Sequence, residues 1–142
     1  MILLDTNILL YAYDEKSAHN ERLRAWLDVI LSGDETIGLP WLSAWAFVRI
    51  STNPRLSKTP FATEEAFAVI GEIRESPLVV MISPGRRHQE IFLSQMLASQ
   101  VRGPETTDAV IAALAIENGA TLASTDVGFR RFPDLTWINP LD

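Results

Sequence analysis

The chain contains no cysteine. That excludes a disulfide framework and any thiolate-held zinc site. Two histidines are too few for a histidine-rich metal centre. No apolar run reaches the length of a membrane span. The apolar start MILL has no positive region before it and is broken by Asp5, so it does not read as a signal peptide. Neither a GxGxxG fingerprint nor a P-loop occurs, and no nucleophilic serine with a paired histidine is visible. Repeats, low-complexity tracts and linkers are also missing. These absences leave a cytoplasmic protein without membrane contact as the expectation.

What is present fits one globular unit. The chain of 142 residues is 47% hydrophobic, enough for a single domain spanning 1–142 that buries about two-thirds of its unfolded surface. A net charge of −6 argues against broad, non-specific nucleic-acid binding. It is compatible with a nucleic-acid enzyme, because clustered metal-binding acids lower the total while local arginines still hold phosphates. An acidic body also suits a basic partner.

Short apolar segments alternate with helical patterns. Residues 2–5 read as a buried strand, too short for a helix. From Ser17 to Leu31 the residues Leu23, Trp26, Leu27, Ile30 and Leu31 fit an amphipathic helix, stopped at Ser32-Gly33-Asp34. A strand at Thr36–Leu39 leads into Pro40, expected as a first helical residue, and a helix carrying Trp41, Trp45 and Val48. Asn53–Pro60 is a loop, and Thr63 is an N-cap candidate with Glu64 and Glu65 placed for the helix dipole. Leu78–Ile82 is a strand, followed by a turn and a helix with Leu93, Met96, Leu97 and Val101 on one face. Thr107–Asn118 is a central, alanine-rich helix ended by Gly119. Thr121–Ala123 and Leu135–Ile138 complete the strands. This order predicts an α/β fold with a parallel sheet covered by helices on both faces.

Three acids stand where such a fold places function. Asp5 and Asp126 sit at the carboxyl ends of strands, and Asp108 lies in the first turn of the central helix. Ligands of open parallel sheets bind beyond the carboxyl ends of strands, and right-handed crossovers return Asp108 to the same level. Each acid also has an ordinary explanation. Asp5 suits an Asx-turn cap, Asp126 an N-cap of the short VGFRRF segment, and Asp108 a dipole acid. Their convergence shifts the weighing. Three carboxylates about 5 Å apart repel by roughly 3 kcal/mol per pair at an effective dielectric near 20. Protonation or an arginine would relieve this, but no arginine lies within a few residues of Asp5 or Asp108 in the sequence. A divalent cation is the simplest relief, and all-oxygen ligands select magnesium or manganese. Such sites orient and activate water against a phosphodiester. Thr6, Asn7, Ser124 and Thr125 are suited to orient the carboxylates. His19 and His88 read as surface residues.

MILLDTNILLYAY, TTDAVIAALAIENGATLASTD and GFRRFPDLTWINPL resemble the PIN-domain ribonucleases, and among them the VapC toxins of VapBC toxin–antitoxin pairs. The segment LPWLSAWAFVRISTNPRL extends the likeness over nearly the whole chain. The resemblance implies a PIN-like fold and a magnesium-dependent (or manganese-dependent) endoribonuclease. It also implies a homodimer held inactive by a VapB-like antitoxin, with DNA contacted only through that antitoxin. On the matching positions Asp5, Asp108 and Asp126 are the metal-site and catalytic acids. Two positions depart from the pattern. Ala46 stands where a glutamate is common, and Gly128 where many members carry an acid. Glu105, one helical turn before Asp108, faces the same way but reads first as a surface acid. Arg49, Asn53 and Arg55, and separately Arg86 and Arg87, are candidate RNA contacts. Trp41 and Trp45 read as core or dimer-interface residues rather than base-stacking platforms. Two rival readings stand beside the nuclease. One is a PIN module that binds RNA or its antitoxin and cleaves weakly or not at all, given Ala46 and Gly128. The other is an aspartyl-phosphate phosphatase, which usually wants an acid where Asn7 stands.

Overall fold

The computed structural model describes all 142 residues. Five short strands, β1 (Ile2–Leu4), β2 (Ile37–Pro40), β3 (Val79–Ile82), β4 (Thr121–Ala123) and β5 (Thr136–Ile138), form one sheet in the order β3-β2-β1-β4-β5. Every pairing is parallel. The helices are α1 (Thr6–Ala12), α2 (Asn20–Leu31), α3 (Trp41–Ser51), α4 (Thr63–Arg74), α5 (His88–Ser99) and α6 (Thr106–Glu117). The chain lays β2 and β3 outward on one side of β1, then returns to place β4 and β5 on the other. The reversal falls between β1 and β4, where an open parallel sheet leaves a crevice at its carboxyl edge.

Alternation along β1 feeds two cores. Leu4 joins Ile8, Leu23, Phe47 and Ile73 on one face. Leu3 joins Ile111, Leu114 and Phe129 on the other. Both leucines are fully buried, as expected for a central strand covered on both sides. The α/β architecture read from the sequence therefore holds.

Several elements differ in detail. Helix α1 has no counterpart in the sequence reading, because seven residues give too little period to separate a helix from a strand. Pro40 ends β2 rather than starting α3: φ −62° suits either role, but ψ 136° is extended, and Pro40 pairs in register with Ile82. Helix α2 begins at Asn20, since Ser17 is taken up in a turn where its Oγ accepts the His19 N–H at 3.1 Å. Thr63 is the first residue of α4 rather than its cap, and Glu65 reaches back to accept the Ala62 N–H at 3.0 Å. On α5 the buried side chains are Ile91 and Gln95, while Leu93 and Leu97 are 58% and 71% exposed. Val101 is buried beyond the helix end. That helix is apolar on two sides, so its spacing did not reveal which side packs inward.

Helix α6 and β4 follow the sequence closely. Ala109, Ala112, Ala113 and Ala115 are buried beside Ile111 and Leu114. Gly119 adopts φ 60°, a left-handed conformation costly for residues with a Cβ. Ala120 then donates to the Ala115 carbonyl at 2.9 Å, closing the helix and launching β4. No helix is long and apolar enough to cross a membrane.

Leu4→Ala, which empties a fully buried site beneath the β1 carboxyl end, is expected to cost about 3 kcal/mol of unfolding free energy. Val29→Ala on the exposed side of α2 should change it by less than about 0.5 kcal/mol. Urea unfolding followed by circular dichroism measures both.

Candidate active site

The β1 ladder continues one bond past the strand, from the Asp5 N–H to the Ala123 carbonyl at 3.1 Å. Asp5 then takes an extended ψ of 158° and caps α1. Its Oδ1 accepts the Thr6 N–H at 2.7 Å. Its Oδ2 accepts the Ser124 hydroxyl at 2.7 Å and Asn7 Nδ2 at 3.0 Å. Asn7 Nδ2 also donates to Ser124 Oγ at 3.0 Å, and Asn7 Oδ1 accepts the Thr125 N–H at 3.2 Å. Ser124, wholly buried, accepts the Asp126 N–H on the same Oγ at 3.1 Å. Its proton and both lone pairs are thus assigned. Ser124 and Asn7 stitch β1 to β4 across the chain reversal. Thr6 and Thr125 contribute backbone N–H groups rather than their hydroxyls.

Asp126 caps the short 3-10 turn Val127–Arg131, with Oδ1 accepting the Gly128 N–H at 2.8 Å. The ordinary capping roles expected for Asp5 and Asp126 are therefore real, and they are what aim the two carboxylates. The turn also sends Arg131 back to α6. Arg131 Nη2 donates to Asp108 Oδ2 at 2.6 Å, and Nη1 lies 3.8 Å from Glu105 Oε2. This corrects one premise of the sequence reading: an arginine does reach the acids, from a turn distant in the chain. Glu105 is exposed, as read from the sequence, and borders the acids through this longer ion pair.

The electrostatics tie the three aspartates together. Burial is the largest influence raising the Asp5 pKa above its ordinary value; the Ser124 and Thr6 hydrogen bonds oppose it, and the charges of Asp108 and Asp126 add to it. Asp108 is also raised, chiefly by burial, with Arg131 opposing and Asp126 and Glu105 reinforcing. The carboxylates share one field. They do not form a closed ligand set in this arrangement, for no three His, Asp or Glu side chains stand close enough together to hold a metal ion. The donor chemistry nevertheless fits a hard divalent cation. All donors are carboxylate oxygens, and Asp108 Oδ1 and Asp126 Oδ2 receive no hydrogen bond from the protein.

The other candidates fall elsewhere. Arg49 and Arg55 are exposed, and Asn53 Oδ1 is engaged by the Arg55 N–H at 2.9 Å in a local turn. Arg86 and Arg87 flank the start of α5, where the Gly85 and Arg87 N–H groups bind the Glu117 carboxylate at 2.8 and 2.9 Å. Glu117 lies nine residues along α6 from Asp108, about 14 Å by helical rise. The two arginines therefore belong to the opposite end of that helix. Trp41 is half-buried and stacks on Trp45, which is 64% exposed. His19 is exposed beside Tyr11, and His88 packs on Phe92 away from the acids. Ala46 is half-buried on α3. Arg131 is the residue that sequence reasoning missed; its only sequence signal was its place in GFRRF, just after Asp126. Trp137 was missed too, and its Nε1 secures the Ser124 carbonyl at 3.0 Å.

The sequence model of the PIN domain matches residues 2–135. The chain is 36% identical over 141 residues to Ribonuclease VapC37 of Mycobacterium tuberculosis, covering 99% of this chain and 97% of that protein. It is 35% identical over 144 residues to VapC ribonuclease Mb2897 of Mycobacterium bovis, covering 100% and 97%. Among solved structures, VapBC2 from Rickettsia felis bound to a promoter DNA fragment matches with a TM-score of 0.72 at 19% identity, over 98% of both chains. VapBC-1 from nontypeable Haemophilus influenzae matches with a TM-score of 0.71 at 20% identity, over 100% of both. The structures share the fold; the sequence relatives, alike from end to end, settle the family. The chain is a PIN-domain protein of the VapC ribonuclease family.

Proposed function

We propose that this protein is an endoribonuclease toxin that hydrolyses RNA phosphodiester bonds with the help of a divalent cation, Mg2+ or Mn2+. The observation that carries this reading is Asp5. Its carboxylate is desolvated at the β1–β4 crevice, fixed by Thr6, Asn7 and Ser124, and set in the field of Asp108 and Asp126. A protein that needed only a helix cap there would not gather two further acids around it.

Asp5, Asp108 and Asp126 are the residues that would hold the cation. When bound, it would acidify a water and neutralise charge developing on the phosphate. The chain supplies orientation. Ser124 and Asn7 pin Asp5 Oδ2, and the Gly128 N–H pins Asp126 Oδ1, so neither carboxylate must be reorganised as charge develops. Arg49, Asn53 and Arg55 are the proposed contacts to RNA phosphates, by their residue type. Arg86 and Arg87, one helix length from Asp108, are at most distal contacts. By its likeness to VapC proteins, the toxin pairs with a VapB-like antitoxin in the cytoplasm and meets DNA only through it. Exposed Trp45, Phe67, Leu93 and Leu97 supply apolar area for a homodimer.

Antitoxin-free protein should cleave a structured RNA panel with Mg2+ or Mn2+ and stop with chelator. Asp5→Asn and Asp108→Asn should each lose more than about a hundredfold in rate, and Asn7→Ala about ten- to a hundredfold. A folded wild type that neither cleaves nor binds either cation would refute the reading.

A pH dependence follows from the raised acids. Above the ordinary carboxylate value of 3.8, folded Asp5 and Asp108 retain protons that the unfolded chain has released. Their contribution to the stability of the chelator-treated protein therefore falls as pH rises through the folded pKa values. Thermal melts in chelator from acid to neutral pH should show that decline. Added Mg2+ should restore stability most at the neutral end.

A further inference from the structure

We infer that Arg131 is a resident counter-cation that a divalent ion must displace from Asp108, and that Glu105 is the acid that receives it. The inference rests on the reading of Asp5, Asp108 and Asp126 as the ion's ligands. The guanidinium sits between two acids three residues apart at the start of α6, with Nη2 2.6 Å from Asp108 Oδ2 and Nη1 3.8 Å from Glu105 Oε2. It is thus closely bound to one acid and within reach of the other.

Beyond the two acids, its guanidinium packs on the Phe132 ring, 5.3 Å from the centroid, a contact that ties up no N–H donor. An arginine offers five N–H donors, yet here one makes a close bond to a side chain, and Nε is buried without a partner. Charge, rather than a complete set of hydrogen bonds, holds it in place. Its neighbour Arg130 lies over the Trp137 ring, 5.4 Å from the centroid, so the turn splits its two arginines and commits only Arg131 to the acids. Gly128 clears the approach, since a Cβ there would stand 3.4 Å from Arg131 Nη1 and 3.0 Å from Asp126 Oδ1. The site thus carries its own cation, and ion binding becomes an exchange rather than a simple filling.

The alternative is that Arg131 permanently orients Asp108 as a ligand, and the two ideas differ in sign. Mn2+ titration by calorimetry of antitoxin-free protein compares wild type with Arg131→Met, Glu105→Gln and the double variant, with melts in chelator confirming that each is folded. Exchange predicts that Arg131→Met binds Mn2+ about tenfold tighter. Glu105→Gln should bind it more weakly, because Arg131 then rests wholly on Asp108. In the double variant the Glu105 effect should largely vanish, the signature of a residue acting through another. Should Arg131→Met not fold, Arg131→Lys keeps the charge without the planar fork and should show a smaller tightening. Unchanged or weaker binding in the folded arginine variant overturns the inference while leaving the metal reading in place. Mn2+ binding by no variant, wild type included, overturns both.

Discussion

A carboxylate at the end of a central strand must be desolvated and still ionise, and the geometry around Asp5 is built to meet that demand. Removing a carboxylate from water costs several kcal/mol. Three donors offset it, each hydrogen bond to a charged group contributing about 2 kcal/mol: the Thr6 N–H, the Ser124 hydroxyl and the Asn7 amide. Two of those three are themselves held by β4 or the residues after it. The closeness of β1 to β4 is therefore inseparable from the solvation of Asp5. An error in register would strand the acid as well as misplace leucines.

The same bonds explain how capping and chemistry coexist. Asp5 directly follows β1, Asp126 lies three residues past β4, and each caps the following helical turn. Capping fixes one carboxylate oxygen on a backbone N–H, which orients the other. The structural and functional explanations of these residues are thus not competitors. The cap is the means by which the backbone aims the acid.

Charge balance around Asp108 follows a different logic. Asp108 takes no cap bond; its partner is Arg131, delivered by the turn that Asp126 caps. Asp126 therefore shapes the site twice, once by its own charge and once by positioning a cation against its neighbour.

The sequence determined the alternating α/β order, the alanine-rich α6 with its Gly119 stop, and the three aspartates. Each is encoded locally, by composition, by period or by a polar residue breaking an apolar run. It did not determine α1, the inward face of α5, or the role of Pro40. Those depend on what packs against a short or doubly apolar segment, and on a proline φ that serves strand and helix start alike. Tertiary structure alone brought Ser124 to Asp5, Trp137 to Ser124 and Arg131 to Asp108. It also set Arg86 and Arg87, read as candidate RNA contacts, at the far end of α6 from Asp108. Long-range polar contacts leave no period in a sequence, since a hydrogen bond needs only two atoms at the right distance. Only the folded sheet sets that distance.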